Sequence, residues 1–408
     1  MPDYPITLTM LSPVHVGSGD ELTTNEYVVR EEMIEGHAYH ELYVIDLPAF
    51  VASLKESDRK DLIDAINKDA TNWVRKFIDQ HVDLARFTRY SCATSGELCD
   101  LYRASLDTDK GLLQVDLAAR TGPNNTPYIP GSSLKGAIRT AVVSTRGLNH
   151  PDQRTLTTVS EKHGHKSSAE FEAIVLGYAK GSRAGDDGTG GGTRSVLNAD
   201  PFRATRITDM TICPTDAMCI DRASVFKPDR RAGEPDPQQI QMFYESTFSQ
   251  LDGETIEAHG TLTIDDRLFQ RSAKGVRDWP FDFGVAGPIH VRELLDACRS
   301  FYERRMIEEN KRFYQSTPGS TLAKNGAWLL AQFSTLQKNE TIVRLGRFSH
   351  VECVTVDRFG LSDREKTRRT EPSRSYGNKT DRPKFGTTRT LLRGKLPFGW
   401  AKLAIDLP

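Results

Sequence analysis

Residues 128–141 read Tyr-Ile-Pro-Gly-Ser-Ser-Leu-Lys-Gly-Ala-Ile-Arg-Thr-Ala, and these residue types together can hold a phosphate group. Pro130 and Gly131 predict a turn, and Ser132 or Ser133 is suited to cap a helix that follows it. The first turn of a helix offers unpaired N–H groups, which attract phosphate. A Gly-Ser-Ser start is also common on surface helices that bind nothing, so these residues alone leave both interpretations open.

The predicted helix has one apolar face and one basic face. Its apolar residues recur with helical spacing at Leu134, Ala137, Ile138, Ala141 and Val142. The basic residues Lys135, Arg139 and Arg146 fall within about 40° of one another around the helix axis. If this helix binds a nucleic-acid backbone, Ser132 and Ser133 would contact phosphate, and Lys135 and Arg139 would supply charge. Gly131 and Gly136 would let that backbone come close.

The composition sets the class of protein. The chain has 408 residues and a formal net charge of -1, so any surface that binds nucleic acid must be a local patch. Six cysteines in this length do not indicate a disulfide framework. We expect no signal peptide and no membrane span, and hence a cytoplasmic protein.

The elements that would position these residues alternate between strands and helices. Period-two patterns predict strands at 6–11, 26–29, 41–46, 205–212, 218–225, 255–264 and 341–347, and a β-rich stretch at 99–117. Helical patterns predict one helix capped by Asp58 and reaching Ile78, and others over 131–146, 291–313 and 322–333, with a polar, broken segment at 150–167. The order favours an α+β fold of two βαββαβ modules, residues 1–225 and 226–408.

Two long segments predict loops. Residues 181–193 are rich in glycine but lack the Gly-Lys-Ser/Thr ending of a phosphate-binding loop, so we expect a mobile loop. Residues 358–395 contain 12 Lys and Arg against four Asp and Glu, an excess of eight positive charges, with Tyr376 and Phe385 among them. Such a segment suits an RNA backbone and its bases, and it equally suits a solvated loop.

Catalytic and metal-binding patterns are weak. His15, beside a glycine turn, could act as a general base, although a lone histidine is more often structural. Asp200 and Asp209 could hold a metal or orient a phosphate, or simply end strands and form turns. Cysteine pairs 92/99 and 213/219 and the histidine pair 163/165 lack the spacing of a zinc knuckle. We therefore expect no catalytic residue, no metal site and no cofactor.

Several motifs taken together resemble the RAMP superfamily of CRISPR-associated proteins. They are residues 11–19, 128–139, 200–209, 344–348 and 396–400, in the family's order and over most of the chain. Within the superfamily, they look most like a terminal subunit of type III-A effector complexes. The closing Pro-Phe-Gly-Trp has a single glycine, which departs from the glycine-rich loop of many members and weakens the case for phosphate contact there.

The resemblance implies two ferredoxin-like domains with long inserted loops, in a subunit that caps one end of a ribonucleoprotein. Its partners would be the guide CRISPR RNA (crRNA), held near its 3′ end, target RNA, neighbouring RAMP subunits, and host nucleases that mature the guide. It would bind RNA without cutting it. Further RNA-binding residues are then expected at His15, Arg203, Arg206, Arg344, Arg347 and Lys402. A metal-independent endoribonuclease and an assembly scaffold without RNA contact remain as alternatives.

Overall fold

The computed structural model describes residues 2–108, 113–161, 165–177, 200–214, 216–227, 242–269, 287–356 and 388–407. The glycine-rich segment 181–193 lies outside these ranges. So do residues 358–387 of the basic segment. The predictions for both segments therefore stay predictions.

Within the described residues, strands and helices alternate irregularly. The strands are β1 (Asp3–Met10), β2 (Gly17–Leu22), β3 (Tyr27–Ile34), β4 (His37–Ile45), β5 (Thr88–Thr94), β6 (Val115–Ala118), β7 (Arg120–Thr121), β8 (Thr126–Ile129), β9 (Thr205–Ile207), β10 (Met210–Cys213), β11 (Met218–Phe226), β12 (Met242–Thr247), β13 (Glu257–Ile264), β14 (Glu340–Arg344), β15 (Arg389–Leu392), β16 (Leu396–Pro397) and β17 (Trp400–Ile405). The helices are α1 (Leu47–Ser53), α2 (Glu56–Asn67), α3 (Thr71–His81), α4 (Leu84–Phe87), α5 (Gly96–Ser105), α6 (Gly131–Asn149), α7 (Gln153–Glu161), α8 (His165–Leu176), α9 (Val291–Arg312), α10 (Thr321–Gln332) and α11 (His350–Cys353).

The first sheet is built around β1. Its described strands follow the order β14-β17-β1-β13-β10-β8-β7, with β9 also paired to β13. Strand β1 is antiparallel to both neighbours, so Leu8 lies opposite Leu403 on one side and Ala258 on the other. Ile6, Leu8 and Met10 are buried, as the alternation of the sequence predicts. This register fixes where β1 ends, and the turn that follows it lines the candidate site.

The second sheet has the described order β2-β6-β12-β11-β5-β4-β3, and β15 pairs with β11 and β16. Most of its neighbours are antiparallel, but β5 runs parallel to β11 and β6 parallel to β12. Strand β2 continues from the turn after β1, so the two sheets are connected directly at that turn. The result is a mixed fold of helices and sheets, and the predicted mixture of the two is confirmed.

Helix α6 packs beside α9. Its predicted apolar face is confirmed, since Leu134, Ile138 and Ala141 are buried. The hydroxyl of Tyr302 on α9 donates to the carbonyl of Ala137 at 3.1 Å, and Arg146 forms two hydrogen bonds with the Glu293 carboxylate, at 2.5 and 3.0 Å. These contacts hold α6 in a fixed position against α9.

Strands from distant parts of the chain share both sheets. Along the chain, six of the elements follow one another in the order β1, α6, β10, β13, α9 and β17. The four strands among them lie side by side in the first sheet in the order β17-β1-β13-β10. In the first sheet β1 is flanked by strands from beyond residue 225, and in the second sheet β11 is flanked by β12. The division into 1–225 and 226–408 stays a prediction.

Three predicted elements are wrong. The single helix ending at Ile78 is two helices, α2 and α3, because Asp69 between them has a left-handed backbone with φ 51°. The segment 99–117 begins as helix α5, since the hydroxyl of Ser95 accepts the Leu98 N–H and caps it. The segment 150–167, predicted as broken, contains α7.

Candidate nucleic-acid interface

A cleft of about 640 Å³ lies where β1 leads into β2, α6 begins and β14 ends. Its lining includes Gly17 at the start of β2, five residues of α6 and the segment that follows β14. The side chains of α6 that line it are Ser132, Ser133 and Thr140, and Gly136 lies between them. The structure therefore brings together three of the sequence motifs, which are more than 100 residues apart in the chain.

Two glycines allow these motifs to pack tightly. Gly346 has φ 83°, and a Cβ there would overlap the carbonyl oxygen of His15. Gly399 has φ 91°, and a Cβ there would overlap the carbonyl oxygen of Leu345. The N–H of Gly399 donates to the Pro13 carbonyl at 2.8 Å, and the N–H of Leu345 donates to the Gly399 carbonyl at 2.8 Å. Glycine is required at these positions for contact with the protein's own backbone.

The start of α6 differs from the sequence prediction. The helix begins at Gly131, and its N–H donates to the carboxylate of Asp209 at 2.9 Å, so an aspartate 78 residues away satisfies this end and neither serine acts as a cap. A Cβ at Gly131 would overlap the carbonyl oxygens of Ile207 and Thr208, whereas a Cβ at Gly136 would meet nothing within 4 Å. The hydroxyls of Ser132 and Ser133 have no partner among the described residues, so both can accept a ligand.

The predicted basic face of α6 does not face the cleft. Nζ of Lys135 donates to the carbonyl of Thr205 at 2.6 Å, and burial lowers the pKa of this amine. Arg139 binds the carboxylates of Asp200 at 2.7 Å and Glu172 at 2.5 Å. These cations fasten the segment before β9 to the helix. Two carboxylates balance the charge of Arg139, and a backbone carbonyl holds the amine of Lys135, so these contacts do not favour phosphate binding by either residue, which stays a prediction.

Asp200 has a second structural role, because its carboxylate accepts the N–H of Phe202 at 2.9 Å and caps the short 3₁₀ helix Pro201–Ala204. Together with the cap that Asp209 provides for α6, this gives both aspartates a local function in turns and helix ends. These contacts therefore support the structural interpretation of Asp200 and Asp209, in which both residues cap helices.

The other predicted cations divide into three groups. Arg344 is buried and forms an ion pair with Glu309, and its Nε donates to the Phe398 carbonyl at 3.1 Å, so its side chain is not accessible to RNA. Lys402 pairs with Glu340 at 3.2 Å. Arg203 and Arg206 are exposed, lie outside the cleft, and form no ion pair with another described residue.

Arg347 is the predicted cation that the structure places at the cleft with an exposed side chain. Its guanidinium binds the carboxylate of Asp116 at 2.6 Å, and about half of the side chain remains exposed (51%). Asp116 itself is buried and is an acidic residue of the cleft lining. Nothing local in the sequence marks Asp116 as a residue of the site. Thr140 was not predicted either, although its spacing of one turn from Gly136 could have indicated it.

His15 is buried beneath this surface, with a relative exposure of 1%. Its Nδ1 lies 2.7 Å from the carbonyl of Glu245, which can only accept, so Nδ1 carries the proton and Nε2 does not. The ring packs edge-on against Tyr244. Burial lowers the pKa of His15, and this effect outweighs the opposing hydrogen bond and the nearby Asp116. The side chain is thus a neutral, buried group in this structure, and its burial does not favour the expected RNA contact, which stays a prediction.

A cluster of buried, ionised side chains adjoins the cleft at Arg344, which is one of the lining residues. Glu309 of α9 pairs with Arg344 and, at 3.2 Å, with Arg389, and it accepts a hydrogen bond from the Tyr314 hydroxyl. Burial alone would raise the pKa of Glu309, but the two guanidinium groups overcome it and lower the pKa to about 2. The carboxylate is therefore ionised in the folded protein and connects α9, β14 and β15.

Comparison with known proteins supports the resemblance that the motifs indicate. Residues 7–185 match the model of the RAMP superfamily. Three curated Csm5 proteins are similar to this chain: those of Streptococcus thermophilus (26% identical over 148 residues), Enterococcus italicus (25% over 162) and Methanocaldococcus jannaschii (27% over 139). The matches cover 35%, 34% and 33% of this chain and 38%, 42% and 29% of those proteins. The matched regions thus cover less than half the length of each of these relatives.

Solved structures share the fold over nearly the whole chain. A chain of a Csm–crRNA–target RNA ternary complex from a type III-A CRISPR–Cas system superposes with a TM-score of 0.67 at 21% identity, covering 99% of this chain and 100% of that one. Csm5 of T. onnurineus superposes with a TM-score of 0.56 at 18% identity, covering 97% and 99%. The predicted resemblance to RAMP proteins, and to Csm5 among them, is confirmed. Among the helices of the described residues, none is long and apolar enough to cross a membrane.

Proposed function

We propose that this chain, which carries RAMP-superfamily sequence over residues 7–185, is the subunit that caps one end of a type III-A CRISPR effector ribonucleoprotein. In this role it binds the 3′ part of the guide RNA, contacts neighbouring RAMP subunits and supports guide maturation in antiviral defence. Its similarity to Csm5 proteins and the fold it shares with a chain of a Csm–crRNA–target RNA complex support this proposal.

The observation that carries the proposal is the cleft at the start of α6. It is open, it contains the hydroxyls of Ser132 and Ser133, which bind no other residue in the described ranges, and Gly136 leaves space for a backbone to approach. The first two turns of the 19-residue helix α6 line it, and Asp209 already accepts the N–H of Gly131. Hydroxyls and one arginine recognise a phosphate without reading a base, so binding should be independent of sequence.

The charges at the cleft predict how strong this binding is. Arg347 is half exposed, but Asp116 already neutralises part of its charge, and Lys135 and Arg139 face other partners. An isolated subunit would therefore neutralise few phosphates at this site. Since the salt dependence of binding to single strands has a slope of about -0.7 per neutralised phosphate, we expect a shallow slope for the free chain.

The strand order of the first sheet supports the part of this proposal that concerns the RAMP fold. The path β1–α6–β10–β13–α9–β17, with sheet order β17-β1-β13-β10, is the βαββαβ pattern of a ferredoxin-like module. We propose that this module is the RAMP domain and that the cleft lies at one end of it. The second sheet would then be formed by insertions into the module, and the two-module arrangement stays a prediction for that part of the chain.

A non-catalytic role is favoured by the surroundings of His15. A general base must come within hydrogen-bond reach of the proton that it takes. Nε2 of His15 is buried, and a Cβ added at Gly17 would lie only 3.0 Å from it, so the turn after β1 covers this nitrogen. An endoribonuclease remains the second candidate, and incubation with CRISPR repeat RNA without metal tests it. Cutting that His15→Ala abolishes would establish the endoribonuclease.

A substitution at Gly136 tests the RNA site directly. A Cβ at Gly136 meets nothing within 4 Å, so Gly136→Glu should place a carboxylate in the cleft and weaken guide-RNA binding about fivefold to tenfold through charge repulsion. Ala327→Glu, at an exposed position of α10, is the matched control and should leave binding unchanged. Fluorescence anisotropy with single-stranded guide RNA measures the isolated chain, and crosslinking in the reconstituted complex measures the assembled one. Unchanged binding and crosslinking by Gly136→Glu would refute the cleft as the RNA site and favour a scaffold role.

A further inference from the structure

Three potential metal ligands meet on the second sheet, away from the cleft. They are Glu31 on β3, His40 on β4 and Cys99 on α5, and one donor atom from each lies within 4.8 Å of the other two. Nε2 of His40 lies 3.9 Å from a carboxylate oxygen of Glu31. Glu31 and His40 belong to one hairpin, but Cys99 lies 59 residues beyond His40, so local spacing could not have indicated the group of three.

The fold brings the three side chains together by two independent routes. In the β3–β4 hairpin, Glu31 lies directly opposite His40, so both side chains leave the same face of the sheet. Helix α5 covers this face, and its start at Gly96 lies against the His40 ring, where even a Cβ would come within 3.3 Å of Cε1. Cys99, one turn further along, is fully buried. Glycine at position 96 thus leaves the His40 ring room that a larger residue would reduce.

The donor set identifies the class of metal. A thiolate, an imidazole nitrogen and a carboxylate oxygen together suit Zn²⁺, whereas Ca²⁺ and Mg²⁺ take oxygen ligands. With bonds of about 2.0 to 2.3 Å to a tetrahedral ion, neighbouring donors lie about 3.3 to 3.7 Å apart. The donors here, which lie within 4.8 Å of one another, need to close by about 1.5 Å at most, which rotation of the partly exposed Glu31 and His40 side chains allows. We propose that Glu31, His40 and Cys99 bind one zinc ion, with water in the fourth position.

One existing contact must change when zinc binds. Arg103, one turn beyond Cys99, donates to the same Glu31 carboxylate at 2.7 Å. Its side chain is 53% exposed, so it can move into solvent when the carboxylate turns to the ion. Binding also converts the Cys99 thiol to a thiolate and releases one proton to the buffer. The bound ion then connects the β3–β4 hairpin to α5 through its coordination bonds.

Cobalt provides the probe, because Co²⁺ takes the same tetrahedral ligands and a thiolate bound to it absorbs in the near ultraviolet. The full-length chain without an affinity tag is titrated with Co²⁺ and then with Zn²⁺. We expect one Co²⁺ per chain, a thiolate-to-cobalt charge-transfer band, and loss of that band when Zn²⁺ is added. If the wild-type chain gives no such band, the proposal is wrong.

Variants assign the ligands. His40→Gln and Glu31→Gln, both at partly exposed positions, should keep the fold and lower the affinity for Co²⁺ at least tenfold, about the loss seen on removing supporting groups of metal sites. Cys99→Ser should abolish the charge-transfer band. The controls are His37→Gln, on the same hairpin, and Cys213→Ser, an exposed cysteine, and both should bind as the wild type does. A band that survives His40→Gln at full affinity, or that disappears in Cys213→Ser, would overturn the assignment.

Discussion

Substituting Glu309 tests whether the buried ion cluster stabilises the fold around β14, which ends at the cleft. Glu309→Gln keeps the size of the side chain but leaves the buried guanidinium of Arg344 without its counter-ion. Removing one partner of a buried pair costs about 3–5 kcal/mol, because the other charge stays buried and unpaired. The pKa gives an independent figure: a fall from 4.5 to about 2 corresponds to about 3 kcal/mol of stabilisation at neutral pH.

The pH dependence has a definite sign. Because the pKa of Glu309 is lower in the folded chain, its stabilising contribution is complete above pH 4.5 and is lost as the pH falls from 4.5 to about 2. At pH 3 about 1.4 kcal/mol of the contribution should remain. The difference in stability between wild type and Glu309→Gln should therefore shrink by about half or more between pH 7 and pH 3.

Urea unfolding of the isolated chain, followed by circular dichroism at both pH values, gives the free energies of unfolding. Glu308→Gln is the matched control, since Glu308 is the neighbouring residue and is exposed. We expect this control to stay within about 0.5 kcal/mol of the wild type. If Glu309→Gln differs from Glu308→Gln by less than about 1 kcal/mol, or if the difference does not depend on pH, the reasoning about the cluster is wrong.

Three further predictions concern the packing around the cleft, and urea unfolding measures each. Gly346→Ala should cost about 2–5 kcal/mol, from the left-handed backbone and the overlap with the His15 carbonyl, and an unchanged stability would contradict that close approach. Asp209→Ala should cost about 1 kcal/mol through loss of the α6 cap, whereas Asp209→Asn, which keeps an acceptor, should cost less. The lowered pKa of His350, due to burial and then to the charges of Arg344 and Arg389, means that its stabilising contribution is complete above pH 6.5 and is lost as the pH falls. His350→Asn, which suits the φ of 58°, should flatten the fall in stability between pH 7.5 and 5.5, and an identical fall would show that His350 does not titrate in this way.

The sequence predicted the elements whose signals are local. The alternation in β1 and the helical spacing in α6 and α9 each lie within one segment, and the structure contains all three close to the predicted bounds. Errors occurred where a cap or a backbone break decided the element, as at Ser95 and Asp69. The motifs also predicted the resemblance to RAMP proteins, because motif order along a chain is itself sequence information.

Only the tertiary structure decided which of the predicted side chains are free to bind. Lys135 and Arg139 look alike in the sequence, but their partners Thr205 and Asp200 lie 70 and 61 residues away. Asp116 likewise pairs with Arg347, which lies 231 residues away in the chain. His40 and Cys99 come together because α5 covers the β3–β4 hairpin. A local pattern records a residue's type and its face on an element. Whether its charge is already neutralised, and whether solvent reaches it, depends on distant segments, so these properties follow from packing.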